Sequence, residues 1–235
     1  MAGTLYGLGV GPGDPELLTL KAVRLIRDSP VIAYPAPDTG DSLARAIAAP
    51  HIPGGRTEIV IRTPMIAGQF PANDVYDHYA IEIAEHLRAG RDVAVLCEGD
   101  PFLYGSFMYV FSRLSEEFPA EVIPGVSSLM ACAAAAGAPL VSRNQILSVV
   151  PATLDEDVLR DRIMNSDAVA LMKVGRHLDK VRRVLTELNL ADNAHYVEHA
   201  SMEDEKVLTI NDLHGATAPY FSMILVRHPE CGADA

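Results

Sequence analysis

Strand-like apolar runs alternate with helix-like amphipathic runs along the first 137 residues of the 235-residue chain. The strand-like runs are TLYGLGV, PVIAY, TEIVIR, DVAVLCEGDP and AEVIPG, and helical patterns such as DVYDHYAIEIAEHLRAG separate them. This alternation is typical of an α/β domain with a mainly parallel sheet. Because ligands of open α/β sheets bind beyond the carboxyl ends of the strands, the turns that follow each strand are the first places to examine.

The pattern changes after the segment APLVSRNQ. Further strands are predicted at QILSVVP, AVALMKV, AHYVEHA, KVLTI and YFSMILVR, and only the first three have helical segments between them. The last strands follow one another too closely for helical crossovers, so we expect antiparallel pairing there. We therefore expect two α/β domains, residues 1–124 with glycine-rich loops and residues 125–235 with a mixed or antiparallel sheet.

Composition narrows the function classes. The formal net charge of -12 argues against nucleic acid and against anionic membranes as partners. No signal peptide or long uncharged apolar run is visible, so a cytoplasmic protein is expected. The three cysteines, Cys97, Cys132 and Cys231, lack CxxC spacing, so neither a disulfide framework nor a cysteine zinc site is indicated.

Glycine recurs at every second position at the end of the first strand, in GLGVGPG. Glycine weakens a strand, so the repeat suggests that something approaches the backbone closely. A dinucleotide fingerprint fails, because its third glycine would fall on Asp14 or Pro12. A phosphate loop fails too, because Gly-Lys-Ser/Thr is missing and Asp14 would repel an anion. The structural alternative is a tight turn packed against a neighbouring strand.

Two further turns have a similar character. CEGDPFLYGS spans Cys97–Ser106 and IPGVSS spans Ile123–Ser128, and each follows a strand and precedes a helix. Ser127 and Ser128 also suit a helix cap. Three such turns in one domain favour a shared binding cleft over three unrelated structural turns.

The segment HYVEH matches the H-x-x-E-H motif of certain zinc proteases. That motif requires a helix, whereas the surrounding residues predict a strand. On a strand, His195 and His199 would lie about 13 Å apart and could not share one zinc ion. We therefore expect strand residues here and no metal site.

Taken together, GVGPGDPELLTLKA, EGDPFLYGS, IPGVSS and YVEHASMEDEKV resemble the tetrapyrrole (corrin/porphyrin) S-adenosylmethionine-dependent methyltransferases over nearly the whole chain. EGDPFLYGSFMY and PYFSMILVR are most similar to members that methylate carbon 20 of precorrin-2, and members acting on its cobalt-loaded counterpart are also similar. The resemblance implies a homodimer of two α/β domains of the tetrapyrrole methylase type. It also implies S-adenosylmethionine in a cleft between the domains and a flat tetrapyrrole substrate above it.

The resemblance also implies contact residues in both domains. Cofactor contacts are expected at Pro12, Gly99, Asp100, Leu103, Tyr104, Ser127, Ser128, Met172, Ala200 and Ser222. Gly11 and Asp14 belong to the loop expected to face the tetrapyrrole. Because that substrate carries many carboxylates, Arg45 is a candidate contact, with Arg62 and Arg143 as further candidates. Each of these arginines also suits an ordinary surface position.

Methyl transfer from a sulfonium needs neither a metal nor a covalent enzyme intermediate. It needs an electron-rich carbon held in line with the methyl group, so positioning can provide most of the acceleration. A base can help to remove the proton from the methylated carbon, and Asp100, Tyr104 and Glu98 are candidates. The alternatives are a turn-forming Asp, a packing Tyr and an exposed Glu. One rival function is a non-catalytic tetrapyrrole carrier or S-adenosylmethionine sensor with the same fold. Another is a methyltransferase of the same family with a different acceptor carbon, or of its diphthamide-type or RNA-related branch.

Overall fold

The computed structural model describes residues 1–63, 73–215 and 217–229. The chain divides into two compact units, Met1–Ser127 and Ser128–Ala235, which are described separately below. The domain boundary predicted after residue 124 stays a prediction, because a division by compactness does not establish independent domains. Cys97 and Cys132 are buried free thiols, and Cys231 lies outside the described residues.

The first unit is built on a five-stranded parallel sheet. Its strands are β1 (Leu5–Gly9), β2 (Val31–Pro37), β3 (Thr57–Thr63), β4 (Val93–Cys97) and β5 (Ala120–Ile123). Their order across the sheet is β3-β2-β4-β1-β5, and every pair is parallel. Because β1 lies between β4 and β5, the turns after these three strands are neighbours at the carboxyl edge of the sheet.

Among the described residues of this unit, four α-helices cover the two faces of the sheet. They are α1 (Leu20–Asp28), α2 (Leu43–Ala48), α3 (Asn73–Arg88) and α4 (Phe107–Leu114). Helices α3 and α4 enclose one apolar cluster with the sheet, and α1 and α2 enclose a second cluster on the other face. The alternating pattern of the sequence is thereby confirmed as an α/β architecture with both sheet faces buried.

Asp14 as a cap and the apolar spacing of ELLTLKAVRLIRDS predict one helix that starts directly behind Asp14, but α1 begins later. The Asp14 carboxylate accepts the backbone N–H of Glu16 at 2.8 Å, but the segment that it caps is only a 3-10 turn, Pro15–Leu17. Leu18 then returns to extended backbone, and the hydroxyl of Thr19 caps α1. Two cap residues in one short segment therefore divide what the apolar spacing predicts as a single helix.

The second unit contains a five-stranded mixed sheet. Its elements are α5 (Ser128–Ala135), β6 (Leu147–Pro151), α6 (Glu156–Met164), β7 (Ala168–Met172), α7 (Leu178–Glu187), β8 (Ala194–Glu198), β9 (Lys206–Thr209) and β10 (Ser222–Arg227). The strand order is β6-β7-β10-β8-β9, and β10 is antiparallel to both of its neighbours. The ends of β7 and β8 and the start of β10 consequently meet at one edge.

The HYVEH segment lies in this sheet, as its sequence predicts. His195 belongs to β8, and His199 follows the strand directly. A strand cannot provide the helical spacing that the zinc-protease motif needs.

In the part of the chain that the structure describes, no helix is long and apolar enough to span a bilayer.

The glycines of β1 leave space that the protein itself fills. A Cβ atom built on Gly7 would lie 2.2 Å from the ring of Phe107, and one on Gly9 would lie 2.5 Å from the Cα of Gly125. The expectation that these two glycines make room for a ligand is therefore corrected. At Gly7 and Gly9 the structural alternative, a strand end packed against its neighbours, accounts for the missing side chains.

Replacing Gly9 with Ala should lower the free energy of unfolding by about 1–3 kcal/mol, because the new methyl group would overlap backbone atoms that cannot move independently. Urea unfolding measures this loss. Gly54→Ala is the matched control, since a Cβ there has no atom within 4 Å, and its effect should stay within about 0.5 kcal/mol. Equal stability of the two variants would contradict the packing described here.

Candidate functional site

A backbone bridge joins the turns that follow β1 and β4. The N–H of Gly99 donates to the carbonyl of Gly11 at 2.8 Å, and the reverse hydrogen bond measures 3.4 Å. Both residues adopt left-handed backbone, with φ of +83° at Gly11 and +62° at Gly99. Glycine adopts this conformation without steric cost, so these two positions have a conformational reason for being glycine.

Asp100 connects the second turn to the third. One carboxylate oxygen accepts the N–H of Phe102 at 2.9 Å, and the other accepts the N–H of Gly125 at 3.1 Å. A Cβ on Gly125 would lie 2.1 Å from the carbonyl oxygen of Gly99, which requires glycine at that position. The sequence pattern does not single out Gly125 as a site residue, although its Pro-Gly context is a turn signal. Since both Asp100 oxygens accept backbone N–H groups, the geometry favours a positioning role over proton transfer.

Tyr104 occupies a strained position in the turn after β4. Its φ is +56°, which is unusual for a residue other than glycine, and its side chain is 42% exposed. The pattern LYGSFMYVFSRLSEE predicts a helix from Leu103, but α4 starts at Phe107, because left-handed backbone at Tyr104 cannot continue into a right-handed helix. Such strain costs about 1–3 kcal/mol and clusters at functional sites.

Glu98 lies between the β4 strand and the Gly11–Gly99 bridge. Its carboxyl oxygen accepts the N–H of Ala44, the second residue of α2, at 3.3 Å. Burial raises the pKa of the Glu98 carboxyl group above that of an ordinary glutamate. A carboxyl group with a raised pKa takes up a proton more readily near neutral pH, so Glu98 remains a candidate for proton transfer.

Arg45 is engaged within the protein. Its Nε and Nη2 atoms donate to the two carboxylate oxygens of Glu58 at 2.7 and 3.0 Å, and the hydroxyl of Tyr34 donates to the same carboxylate at 2.6 Å. The Arg45 guanidinium holds the pKa of Glu58 below its usual range. Arg62 similarly donates to the carbonyl of Pro37 at 2.7 Å. The expected contact of Arg45 with substrate carboxylates stays a prediction that this pairing disfavours.

The second unit gathers its predicted residues at one sheet edge. Met172 ends β7, Ala200 follows β8 and Ser222 begins β10, and the N–H of His199 donates to the carbonyl of Phe221 at 2.9 Å. Met172 and Ala200 belong to the apolar cluster beneath α5.

The side chain of Ser222 faces away from that cluster. Its register partner is Glu198, whose carboxylate accepts the hydroxyl of Tyr196 on the opposite face of the sheet, and the Ser222 hydroxyl donates to the carbonyl of Pro219 at 2.7 Å. A ligand that touches Met172 and Ala200 would therefore meet Ser222 through its backbone.

Residues in strained, left-handed backbone lie next to Met172 and on both sides of Ala200. Lys173, His199 and Ser201 have φ values of +57°, +51° and +66°. Nδ1 of His199 lies 2.6 Å from a carboxylate oxygen of Asp204, which closes the loop after β8. Left-handed residues other than glycine persist only where surrounding contacts enforce them, and they concentrate at functional sites.

The remaining predicted residues lie close to these two edges in sequence. Pro12 is buried directly after Gly11, while Ser127 ends the first unit and Ser128 begins α5. Arg143 is exposed and precedes the amino end of β6. The structure therefore groups most of the predicted positions at one edge of each sheet, and which of them contact a ligand stays a prediction.

The chain matches the family described as Tetrapyrrole (Corrin/Porphyrin) Methylases over residues 4–213. It is 40% identical to the precorrin-2 C(20)-methyltransferase of a Sinorhizobium species, over 95% of both chains. It is 31% identical to the cobalt-precorrin-2 C(20)-methyltransferase of Salmonella typhimurium, over 97% of both chains.

One relative is much longer. The cobalamin biosynthesis protein CobIJ of Mycobacterium tuberculosis is 41% identical over 95% of this chain, which spans about half (46%) of that protein. Among solved structures, the native uroporphyrin III C-methyltransferase of Thermus thermophilus is similar with a TM-score of 0.69 and 26% identity, covering 95% of this chain and 97% of that one. The two-sheet fold is thus shared with enzymes of known structure.

Glu98→Gln should stabilise the protein in a pH-dependent way. Because the pKa of Glu98 is raised in the folded state, the stability that its proton contributes is complete below the ordinary carboxyl pKa and is lost as the pH rises through the raised pKa. Glutamine does not titrate, so the free energy of unfolding of the variant should exceed that of the wild type increasingly from about pH 5 upward. Urea unfolding at a series of pH values measures this difference.

The Glu58→Gln substitution should change the free energy of unfolding in the opposite direction. The pKa of Glu58 is lowered in the folded state, so this variant should be less stable than the wild type at neutral pH, and the difference should disappear in acid. Parallel pH profiles for the two variants would contradict the environments assigned to these carboxyl groups.

Proposed function

Because the chain belongs to the tetrapyrrole (corrin/porphyrin) methylases, we propose that it transfers a methyl group from S-adenosylmethionine to carbon 20 of precorrin-2 in cobalamin biosynthesis. The products are then precorrin-3A and S-adenosylhomocysteine. The observation that carries the proposal is the 40% identity, over 95% of both chains, with a relative named for this reaction. The relative named for the cobalt-loaded substrate is 31% identical, which favours the metal-free compound.

The carboxyl edge of the first sheet fits the methyl donor. Asp14 and Asp100 bring carboxylates to the turns where dinucleotide-binding folds receive phosphate groups. Carboxylates repel phosphate and attract a cation, and the sulfonium of S-adenosylmethionine is a cation. When bound, this donor supplies an electrophilic methyl group.

The residues of this edge would act mainly by positioning. The Gly11–Gly99 bridge and the two hydrogen bonds of Asp100 hold three turns in one arrangement. A preformed site can align the acceptor carbon with the methyl group at little additional entropic cost. Burial gives the candidate base Glu98 a raised pKa, which suits uptake of the proton released from carbon 20.

The reaction itself is the first test. The protein is incubated without oxygen with S-adenosylmethionine and an equal mixture of metal-free and cobalt-loaded precorrin-2, and the macrocycles are weighed by mass spectrometry. We expect the metal-free compound to gain one methyl group first. Methylation of only the cobalt compound would mean that the substrate is cobalt-loaded precorrin-2. No methylation of either, with S-adenosylhomocysteine still bound, would instead support the carrier.

Asp100→Asn tests whether the first edge holds the donor. Asparagine offers an N–H₂ group in place of one acceptor, so one of the two turn contacts is lost, and the affinity for S-adenosylhomocysteine should fall about tenfold in calorimetric titration.

Asp92→Asn is the matched control. Asp92 accepts the N–H of Thr4 at 2.6 Å, beside the amino ends of β4 and β1 in the same sheet. This variant should lose stability but keep its affinity for S-adenosylhomocysteine. Equal losses of affinity in both variants would show that the loss comes from general destabilisation of the sheet and not from the turn that Asp100 holds.

The assembly and location of the protein are part of the proposal. The family comprises methylases of tetrapyrroles, which supports a tetrapyrrole as the small-molecule partner. The homodimer and the cytoplasmic location stay predictions. Size-exclusion chromatography with light scattering tests the dimer.

A further inference from the structure

A basic turn follows β7 at the same edge as Met172. It comprises residues 173–180, KVGRHLDK, of which the last three open α7. It contains Lys173, Arg176, His177 and Lys180 together with one acidic residue, Asp179. Arg176 is exposed, its Nε lies 3.5 Å from Nε2 of His177, and no carboxylate among the described residues forms an ion pair with it. In a chain with a formal net charge of -12, this turn is a local region of positive charge.

The positive charges of the basic turn act on His177, which lies in the same turn. Burial lowers the pKa of His177, and the charges of Lys180 and Arg176 lower it further. Lys180 is fixed, because its Nζ donates to the carbonyl of Leu154. An anion bound near Arg176 would therefore meet a cationic region that is already formed.

An exposed aromatic pair lies beside this turn. Tyr220 and Phe221 directly precede β10, and the two residues are 67% and 38% exposed. Their rings are nearly perpendicular, at 89°, with centroids 4.9 Å apart. The N–H of Ala218 donates to the carbonyl of Gly175 at 3.0 Å, which ties the segment before the pair to the basic turn.

We propose that the basic turn and the aromatic pair together form the docking surface for the tetrapyrrole substrate. The ring of Tyr220 offers an apolar face for a flat conjugated macrocycle. Arg176 offers a planar guanidinium, which pairs with carboxylates in two-pronged geometry, and Lys173 adds a second charge. The inference rests on the proposed function, since it assumes that the ligand is a macrocycle with carboxylates on its rim.

The rest of the edge gives the substrate an orientation. The loop after β8 is acidic, and two of its carboxylates are engaged inside the loop: Asp204 pairs with His199, and Glu205 accepts the N–H of Ser201 at 2.6 Å. Strand β10 lies between β7 and β8, so it separates the basic turn after β7 from the acidic loop after β8. The aromatic pair directly precedes β10. The carboxylates of a bound macrocycle should therefore point toward the β7 side.

Binding without turnover tests the docking surface. The wild type and the variants are titrated anaerobically with precorrin-2 in the presence of S-adenosylhomocysteine, and the absorbance of the macrocycle reports binding. Arg176→Gln and Tyr220→Leu should each weaken binding about fivefold, and Arg176→Lys and Tyr220→Phe should recover much of it. Added salt should weaken binding by the wild type more than by Arg176→Gln.

Arg162→Gln is the matched control, because Arg162 is also exposed but lies in the last turn of α6. It should bind precorrin-2 as the wild type does. Wild-type affinity in Arg176→Gln and Tyr220→Leu, or no binding of precorrin-2 by the wild type, would overturn the docking surface. Failure of the proposed function appears separately, as wild-type protein that binds precorrin-2 but does not methylate it.

Discussion

The close backbone contact among three turns is the constraint on which the first unit depends. Gly9, Gly99 and Gly125 meet at distances that no side chain could enter, and the hydrogen bonds between Gly11 and Gly99 fix the same turns. Glycine gives up more conformational entropy on folding than other residues do, so this arrangement has a cost. These contacts fix the carboxyl edge of the sheet in one arrangement, which is what a reaction governed by alignment requires.

The sequence predicted the architecture because the signals for it are local. Period-two and period-3.6 patterns identify each strand and helix, and alternation implies parallel pairing. The errors arose where neighbouring residues compete. Thr19 provides a second cap after Asp14, and the left-handed Tyr104 delays α4. Arg45 shows a different limit. It lies on helix α2 and its partner Glu58 lies on strand β3, and an ion pair between two elements leaves no periodic pattern in the sequence.

The candidate site could be located from its turns but not described from them. Glycine-rich turns after strands pointed to the first edge, whereas the strain at Lys173 and His199 has no counterpart in the sequence. Tertiary contacts hold these residues in left-handed backbone, and only the folded structure contains those contacts. Likewise, the side-chain direction of Ser222 follows from its register opposite Glu198, which becomes known only when β8 and β10 are paired.

The net charge of a protein is a weak guide to the charge of a small ligand that it binds. A net charge of -12 argues against partners that cover a large part of the surface, such as nucleic acid, because many phosphates must be neutralised at once. It says much less about a small polyanion, since fields at physiological ionic strength decay over about 8 Å. Within that distance a bound carboxylate responds to Arg176 and its neighbours and not to acidic residues on distant helices. An acidic protein can therefore bind an acidic macrocycle, provided that its cations are concentrated at the edge where the macrocycle docks.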